Sequence, residues 1–127
     1  MKRRLVVAAT AAAALLGCGS QRSPEHKLAD QVTQSVYADD VQGVVQNFDA
    51  DLQRQVKRAD VGLISDKMHA LGVYQGLTPT TADPQARRYA YQANFSNGTM
   101  QVEMRLDADG KIAAYRVLPA APIKPVR

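Results

Sequence analysis

The 127-residue chain is poor in the residues that usually carry cross-links, metal ions and reaction chemistry. It has one cysteine, two histidines and no tryptophan. A single thiol excludes an internal disulfide. His26 and His69, without a clustered thiol or carboxylate set, do not indicate a metal site. We therefore expect neither a metal ion nor a cofactor.

The start of the chain lacks an apolar run long enough to span a membrane. The run from Leu5 to Leu16 has 12 residues, whereas a spanning helix needs about 20. It follows the basic segment MKRR and precedes Gly17, which is the order typical of an export signal. We predict that residues 1–17 are a cleaved signal peptide, with a retained anchor as the alternative.

Without this leader, the chain also has almost equal numbers of basic and acidic residues. The formal charge of +4 includes Lys2, Arg3 and Arg4. Without them, 13 basic residues stand against 12 acidic ones, and no basic cluster with interleaved aromatic residues remains. The composition therefore gives no indication of nucleic-acid binding.

The single cysteine lies directly after the predicted leader. The segment Leu15-Leu16-Gly17-Cys18 resembles the lipobox of bacterial lipoproteins. This resemblance implies that Cys18 receives a diacylglycerol, that the leader is cut before it, and that the new amino end is acylated. Gly19 at the second mature position implies sorting to the outer membrane, facing the periplasm. The alternative is a chance cysteine near an ordinary cleavage site.

Composition divides the remaining chain into three parts. Residues 18–25 are predicted to be the lipidated cysteine and a short polar tether. Residues 26–118 are predicted to form one α+β domain, and residues 119–127, which contain three prolines, a flexible tail.

The first half of the domain has apolar residues at helical spacing. The predicted elements are a helix over about 25–38 with Leu28, Val32 and Val36 on one face, a short helix capped by Asp39 or Asp40, a further turn around Leu52 and Val56, and a helix capped by Asp60 that stops at Gly72.

The second half alternates between apolar and polar residues, which indicates strands. A first strand is predicted over 73–77, followed by a polar loop containing Pro79 and Pro84. Two-residue turns at Asn97-Gly98 and Asp109-Gly110 then connect three strands.

These turns predict a register. The first pairs Phe95 with Met100, Ala93 with Val102, Tyr91 with Met104 and Tyr89 with Leu106. The second pairs Leu106 with Ala113, Met104 with Tyr115, Val102 with Val117 and Glu103 with Arg116. In this register each apolar residue of the inner face meets an apolar residue, and a slip of one residue would expose that face. The segment DADG at 107–110 fits such a turn better than a calcium loop.

Three segments carry a family resemblance: NFDADLQRQV, ALGVYQG and DADGKIAAY. Together with the order of helices and strands, they resemble a small uncharacterised domain of the nuclear-transport-factor-2-like, cystatin-like superfamily over roughly residues 26–118. The resemblance implies N-terminal helices packed on a curved antiparallel sheet of about four strands, often with a cone-shaped cavity. It implies no established catalytic residues.

Within such a cavity, the inward sheet face would offer Tyr89, Tyr91, Ala93, Met104 and Tyr115 as lining; the alternative is that these residues are core. The inward face carries no Asp, Glu or His, so we expect a non-catalytic domain that binds an envelope protein or an apolar small molecule. The alternative is an enzyme of the isomerase or dehydratase type, with a carboxylate entering from a helix. Asp40 and Asp49 are the candidates for that carboxylate.

Overall fold

The computed structural model describes residues 22–120, so Cys18, the leader and the end of the tail lie outside the described residues. Four helices are followed by four strands, which confirms the α+β class. The helices are α1 (Pro24–Tyr37), α2 (Val41–Val45), α3 (Ala50–Gln55) and α4 (Arg58–Ala70), and the strands are β1 (Tyr74–Asp83), β2 (Arg88–Phe95), β3 (Gly98–Leu106) and β4 (Ile112–Pro119). None of the helices within residues 22–120 has the length and apolar character needed to cross a membrane.

Helix α1 begins two residues before the predicted domain boundary. Ser23 caps it by accepting a hydrogen bond from the His26 backbone N–H, and Pro24 occupies the first turn, where a missing donor costs nothing. The predicted stripe is partly wrong, because Leu28 is only half-buried while Ala29 and Thr33 are fully buried. Val32 and Val36 are buried as predicted, and the full buried face consists of positions 26, 29, 30, 32, 33 and 36.

Of the other three helices, two begin at the acidic N-cap residues predicted from the sequence, and one does not. Asp40 caps α2 and Asp49 caps α3. The prediction that Asp60 caps the last helix is wrong, since α4 begins at Arg58 without a side-chain cap. Asp60 lies in the first turn of α4, where a negative charge is still favourable to the helix dipole.

The four strands form one open antiparallel sheet in the order β1-β2-β3-β4. Strand β1 is longer than predicted, because residues 78–83 continue it instead of forming a loop. Pro79 is tolerated there because β1 is an edge strand and its pairing with β2 shifts between Pro79 and Thr81.

The predicted register of the first hairpin is wrong by two residues. Tyr91 pairs with Val102 and Ala93 with Met100, so the turn is Ser96-Asn97. The Ser96 N–H donates to the Val73 carbonyl at 3.0 Å and the Asn97 N–H to the Leu71 carbonyl at 2.8 Å. Neither Asn97 nor Gly98 has a positive φ. These bonds to the α4–β1 junction override the local preference of Asn-Gly, and a slip of two leaves the apolar face unchanged.

The second hairpin follows the predicted register except near its turn. Met104 pairs with Tyr115, Val102 with Val117 and Glu103 with Arg116, as predicted. Leu106, however, pairs with Ile112 and not with Ala113, because the register shifts after Arg105. The turn extends over 107–111 and places Ile112 in the core at 0% exposure.

Candidate functional site

The five sheet residues predicted to line a cavity do share one side of the sheet, and that side faces the helices. Ala93 is fully buried, and Met104 and Tyr91 are 2% and 3% exposed. Tyr89 and Tyr115 are partly exposed. Tyr89 and Tyr115 both pair with Met104 on neighbouring strands, so these three residues form one row across the sheet.

Side chains from the helical half occupy the positions beside these tyrosines. The His26 ring lies 5.3 Å from the Tyr91 ring, and its Nε2 is 3.1 Å from the Leu77 carbonyl. The Thr33 hydroxyl donates to the Ala29 carbonyl at 2.8 Å, so the Tyr115 hydroxyl, 2.7 Å away, donates to Thr33 Oγ1. These contacts place Tyr91 and Tyr115 among packed core residues.

Burial also determines the protonation of these tyrosines. It raises the pKa of Tyr91 to about 12. Burial raises the pKa of Tyr115 further, against the opposing effect of its hydrogen bond with Thr33. Both hydroxyls therefore stay protonated near neutral pH, where a general base must be ready to accept a proton.

A buried carboxylate lies at another place, at the junction of α1 and β1. Asp30 is 8% exposed. Its Oδ1 accepts from the Tyr74 hydroxyl at 2.5 Å, and its Oδ2 accepts from Arg22 and Gln34, both at 3.1 Å. Burial, followed by the bond to Asp30, raises the pKa of Tyr74 strongly. Asp30 thus joins the start of the described chain to the first strand.

The sequence does not single out Asp30, because the more apolar stripe of α1 is formed by Leu28, Val32 and Val36. The spacing His26, Ala29, Asp30 and Thr33 is equally helical and contains the polar residues that face the sheet. The only indication of Asp30 in the sequence is that it is a polar residue within that second stripe.

The two carboxylates named for the enzymatic alternative are helix caps. Asp40 accepts from the Gly43 N–H at 3.1 Å, and Asp49 accepts from the Leu52 N–H at 2.8 Å. His69 is exposed and touches the Tyr37 ring edge-on, with centroids 4.0 Å apart. Within residues 22–120, no three His, Cys, Asp or Glu side chains come together in a group that could hold a metal ion.

An apolar groove of about 440 Å³ lies between the last turns of α4 and the adjoining ends of β3 and β4. We call it the α4 groove. Lys67 stands at its rim, and one helical turn before Lys67 the side chain of Leu63 is 57% exposed. The remaining lining residues are Ile64, Leu71, Thr99, Met100, Val117, Pro119 and Ala120.

Comparisons with known proteins found no match to this chain among protein-family models, curated proteins or solved structures.

Proposed function

We propose that this protein is a lipid-anchored component of the bacterial envelope whose domain binds an apolar segment of another protein and catalyses no reaction. The lipobox-like segment ending at Cys18 supports the anchor. Cys18 precedes Arg22 by four residues, so even a fully extended chain would hold Arg22 within about 14 Å of the lipidated residue. Helix α1 begins two residues later, so the short tether would keep the domain close to the membrane surface.

The Cys18→Ser variant tests the anchor. Because stable attachment relies on acyl chains at this residue, the variant is expected to move from the detergent phase to the aqueous phase almost completely in detergent phase separation. Ser20→Ala is the matched control and should stay in the detergent phase. Unchanged partitioning of the Cys18 variant would contradict lipid attachment.

The α4 groove is the observation that carries the binding function. His26 contacts Tyr91 and Thr33 bonds to Tyr115 on the tyrosine face, whereas the α4 groove offers a concave apolar surface away from that face. Apolar surface grouped around a groove and rimmed by polar residues is typical of protein interaction sites. Exposed Leu63 extends this surface along α4.

A photoreactive residue at Lys67, on the groove rim, is expected to give a discrete cross-linked protein in cells. The same residue at Gln55, which is exposed on α3, is the control and should give none. Equal products from both positions would contradict a specific site. A bound apolar small molecule, retained in native mass spectrometry without any protein adduct, would also contradict a protein partner.

Among residues 22–120, Asp30 is the buried acid that favours the enzymatic alternative. Tyr74, Gln34 and Arg22 direct three donors at its two oxygens. These three hydrogen bonds tie Asp30 to β1, to the next turn of α1 and to the residues before α1. We therefore assign Asp30 to holding α1 against β1, in support of a non-catalytic domain.

We also propose that the domain is a small member of the nuclear-transport-factor-2-like, cystatin-like superfamily. Helices that precede an antiparallel meander, with α1 packed on the first strand, support this assignment. A crystal structure in which the sheet failed to wrap around α1 would contradict it.

A further inference from the structure

The side of the sheet turned away from the helices carries an unusual row of charges. Arg88 on β2 and Arg105 on β3 are directly opposed in the register, and both are exposed. Asp83 precedes Arg88 in the same row and Ala114 follows Arg105. Like charges placed directly opposite each other on neighbouring strands destabilise a sheet. The fold therefore accepts an unfavourable pair at this position.

No described acidic residue forms a salt bridge with either arginine. The Asp83 carboxylate accepts from the Ala86 N–H at 3.3 Å, which closes the β1–β2 turn. Glu103 is held by Arg116 at 2.6 Å and by Gln101 at 2.9 Å. Asp83 lies opposite Arg88 in the register without a salt bridge to it, and Glu103 pairs with Arg116, so neither Arg88 nor Arg105 is held in a salt bridge within residues 22–120.

The arginines surround a concavity of about 470 Å³, which we call the outer-face concavity. Ala90 lies two residues after Arg88, and Ala114 lies opposite Arg105, so short side chains alternate with long ones. Small residues between long ones leave space on the sheet surface. A volume of this size is ordinary for a small-molecule site.

We propose that the outer-face concavity binds a phosphate group through Arg88 and Arg105. Guanidinium groups recognise phosphate by paired, charge-assisted hydrogen bonds. A phosphate monoester carries roughly −1.5 to −2 charges at pH 7, so it can pair with both arginines at once, whereas one carboxylate pairs with a single arginine. The site lies on the opposite side of the sheet from the helices and is independent of the α4 groove. The phosphate belongs either to a soluble ester or to a lipid headgroup.

Titration of the purified full-length protein with inorganic phosphate, in neutral detergent and phosphate-free buffer, tests the site. Saturable binding is expected, with shifts of the Arg88 and Arg105 side-chain N–H signals in NMR spectra. Arg88→Gln and Arg105→Gln should each weaken binding at least about tenfold. The double variant Arg54→Gln/Arg58→Gln removes two positive charges from the helical half, twice as many as either single variant, and should bind as the wild type does.

A second arm distinguishes the source of the phosphate. Vesicles of phosphatidylcholine with and without phosphatidylglycerol are offered to the Cys18→Ser protein. Binding that requires phosphatidylglycerol and is lost in Arg88→Gln and Arg105→Gln supports a lipid headgroup. Binding of inorganic phosphate alone supports a soluble ester. Binding of neither probe, or equal weakening by the Arg54/Arg58 control, would overturn the proposal.

A stability measurement distinguishes a variant that has lost the phosphate site from one that has misfolded. Relief of the opposed like charges predicts that the thermal midpoint of Arg105→Gln is equal to or above that of the wild type in phosphate-free buffer. Saturating phosphate should raise the midpoint of the wild type more than that of the variant. A variant midpoint well below the wild type would show that Arg105 stabilises the sheet and would overturn the argument.

Discussion

Replacing Ile112 with alanine is expected to lower the free energy of unfolding by about 2 to 5 kcal/mol. The Ile112 side chain is 0% exposed, so its loss leaves a cavity in the core. Its backbone also joins two parts of the fold, because the Ile112 N–H donates to the Asn47 carbonyl and its carbonyl accepts from the Asp49 N–H, both at 2.8 Å. These backbone bonds limit how far the chain can relax to fill the cavity.

Denaturant unfolding followed by circular dichroism measures this effect. Leu63→Ala removes a similar volume from a side chain that is 57% exposed, and it should change stability by no more than about 0.5 kcal/mol. If Ile112→Ala cost no more than this control, the register shift that buries Ile112 would be contradicted.

The burial of Ile112 could not be predicted from alternation alone. A strict two-residue turn at Asp109-Gly110 places Ala113 on the inner face and Ile112 outside. In the structure Asp107 accepts from the N–H groups of Asp109 and Lys111, both at 2.9 Å, and Gly110 has φ 84°. The longer turn and the shift beside Leu106 leave one residue unpaired, which reverses the faces at this end of β4.

The parts of the fold that depend on local periodicity were predictable. The 3.6-residue period located the four helices, and the two-residue period located β2 and β3 and their apolar side. Register was less predictable, because a slip of two keeps Tyr91, Ala93 and Val102 on the same side. Only contacts distant in sequence, such as that between Asn97 and Leu71, decide between the two registers.

The candidate site was less predictable than the fold. Alternation shows that Tyr91 and Tyr115 face inward, but it cannot show whether a helix fills the space beside them. His26 and Thr33 do so from α1. The opposed pair Arg88 and Arg105 likewise becomes visible only once the register is known. The predicted register pairs Tyr89 with Leu106, and it therefore sets Arg88 opposite Asp107.

Replacing Gly72 with alanine is expected to destabilise the domain for two separate reasons. Gly72 has φ 101°, a conformation that costs a side-chain-bearing residue roughly 1 to 3 kcal/mol. Its position as the stop of the last helix was predicted from the sequence. In addition, a Cβ atom at this position would overlap the Ser96 hydroxyl, which accepts from the Val73 N–H at 2.9 Å. Such crowding adds about 1 to 3 kcal/mol.

Gly76→Ala separates the two contributions. Gly76 has φ 109°, but nothing lies within 4 Å of a Cβ atom built there. Both variants should therefore lose stability because alanine is strained at a positive φ. Gly72→Ala should lose more, because its Cβ atom would also overlap the Ser96 hydroxyl. Ser96→Ala removes the hydroxyl, so the double variant Gly72→Ala/Ser96→Ala should be less destabilised than the sum of the two single variants. Additive losses would show that the α4–β1 junction does not press against the Ser96-Asn97 turn, and the contact that sets the register of the first hairpin would have to lie elsewhere.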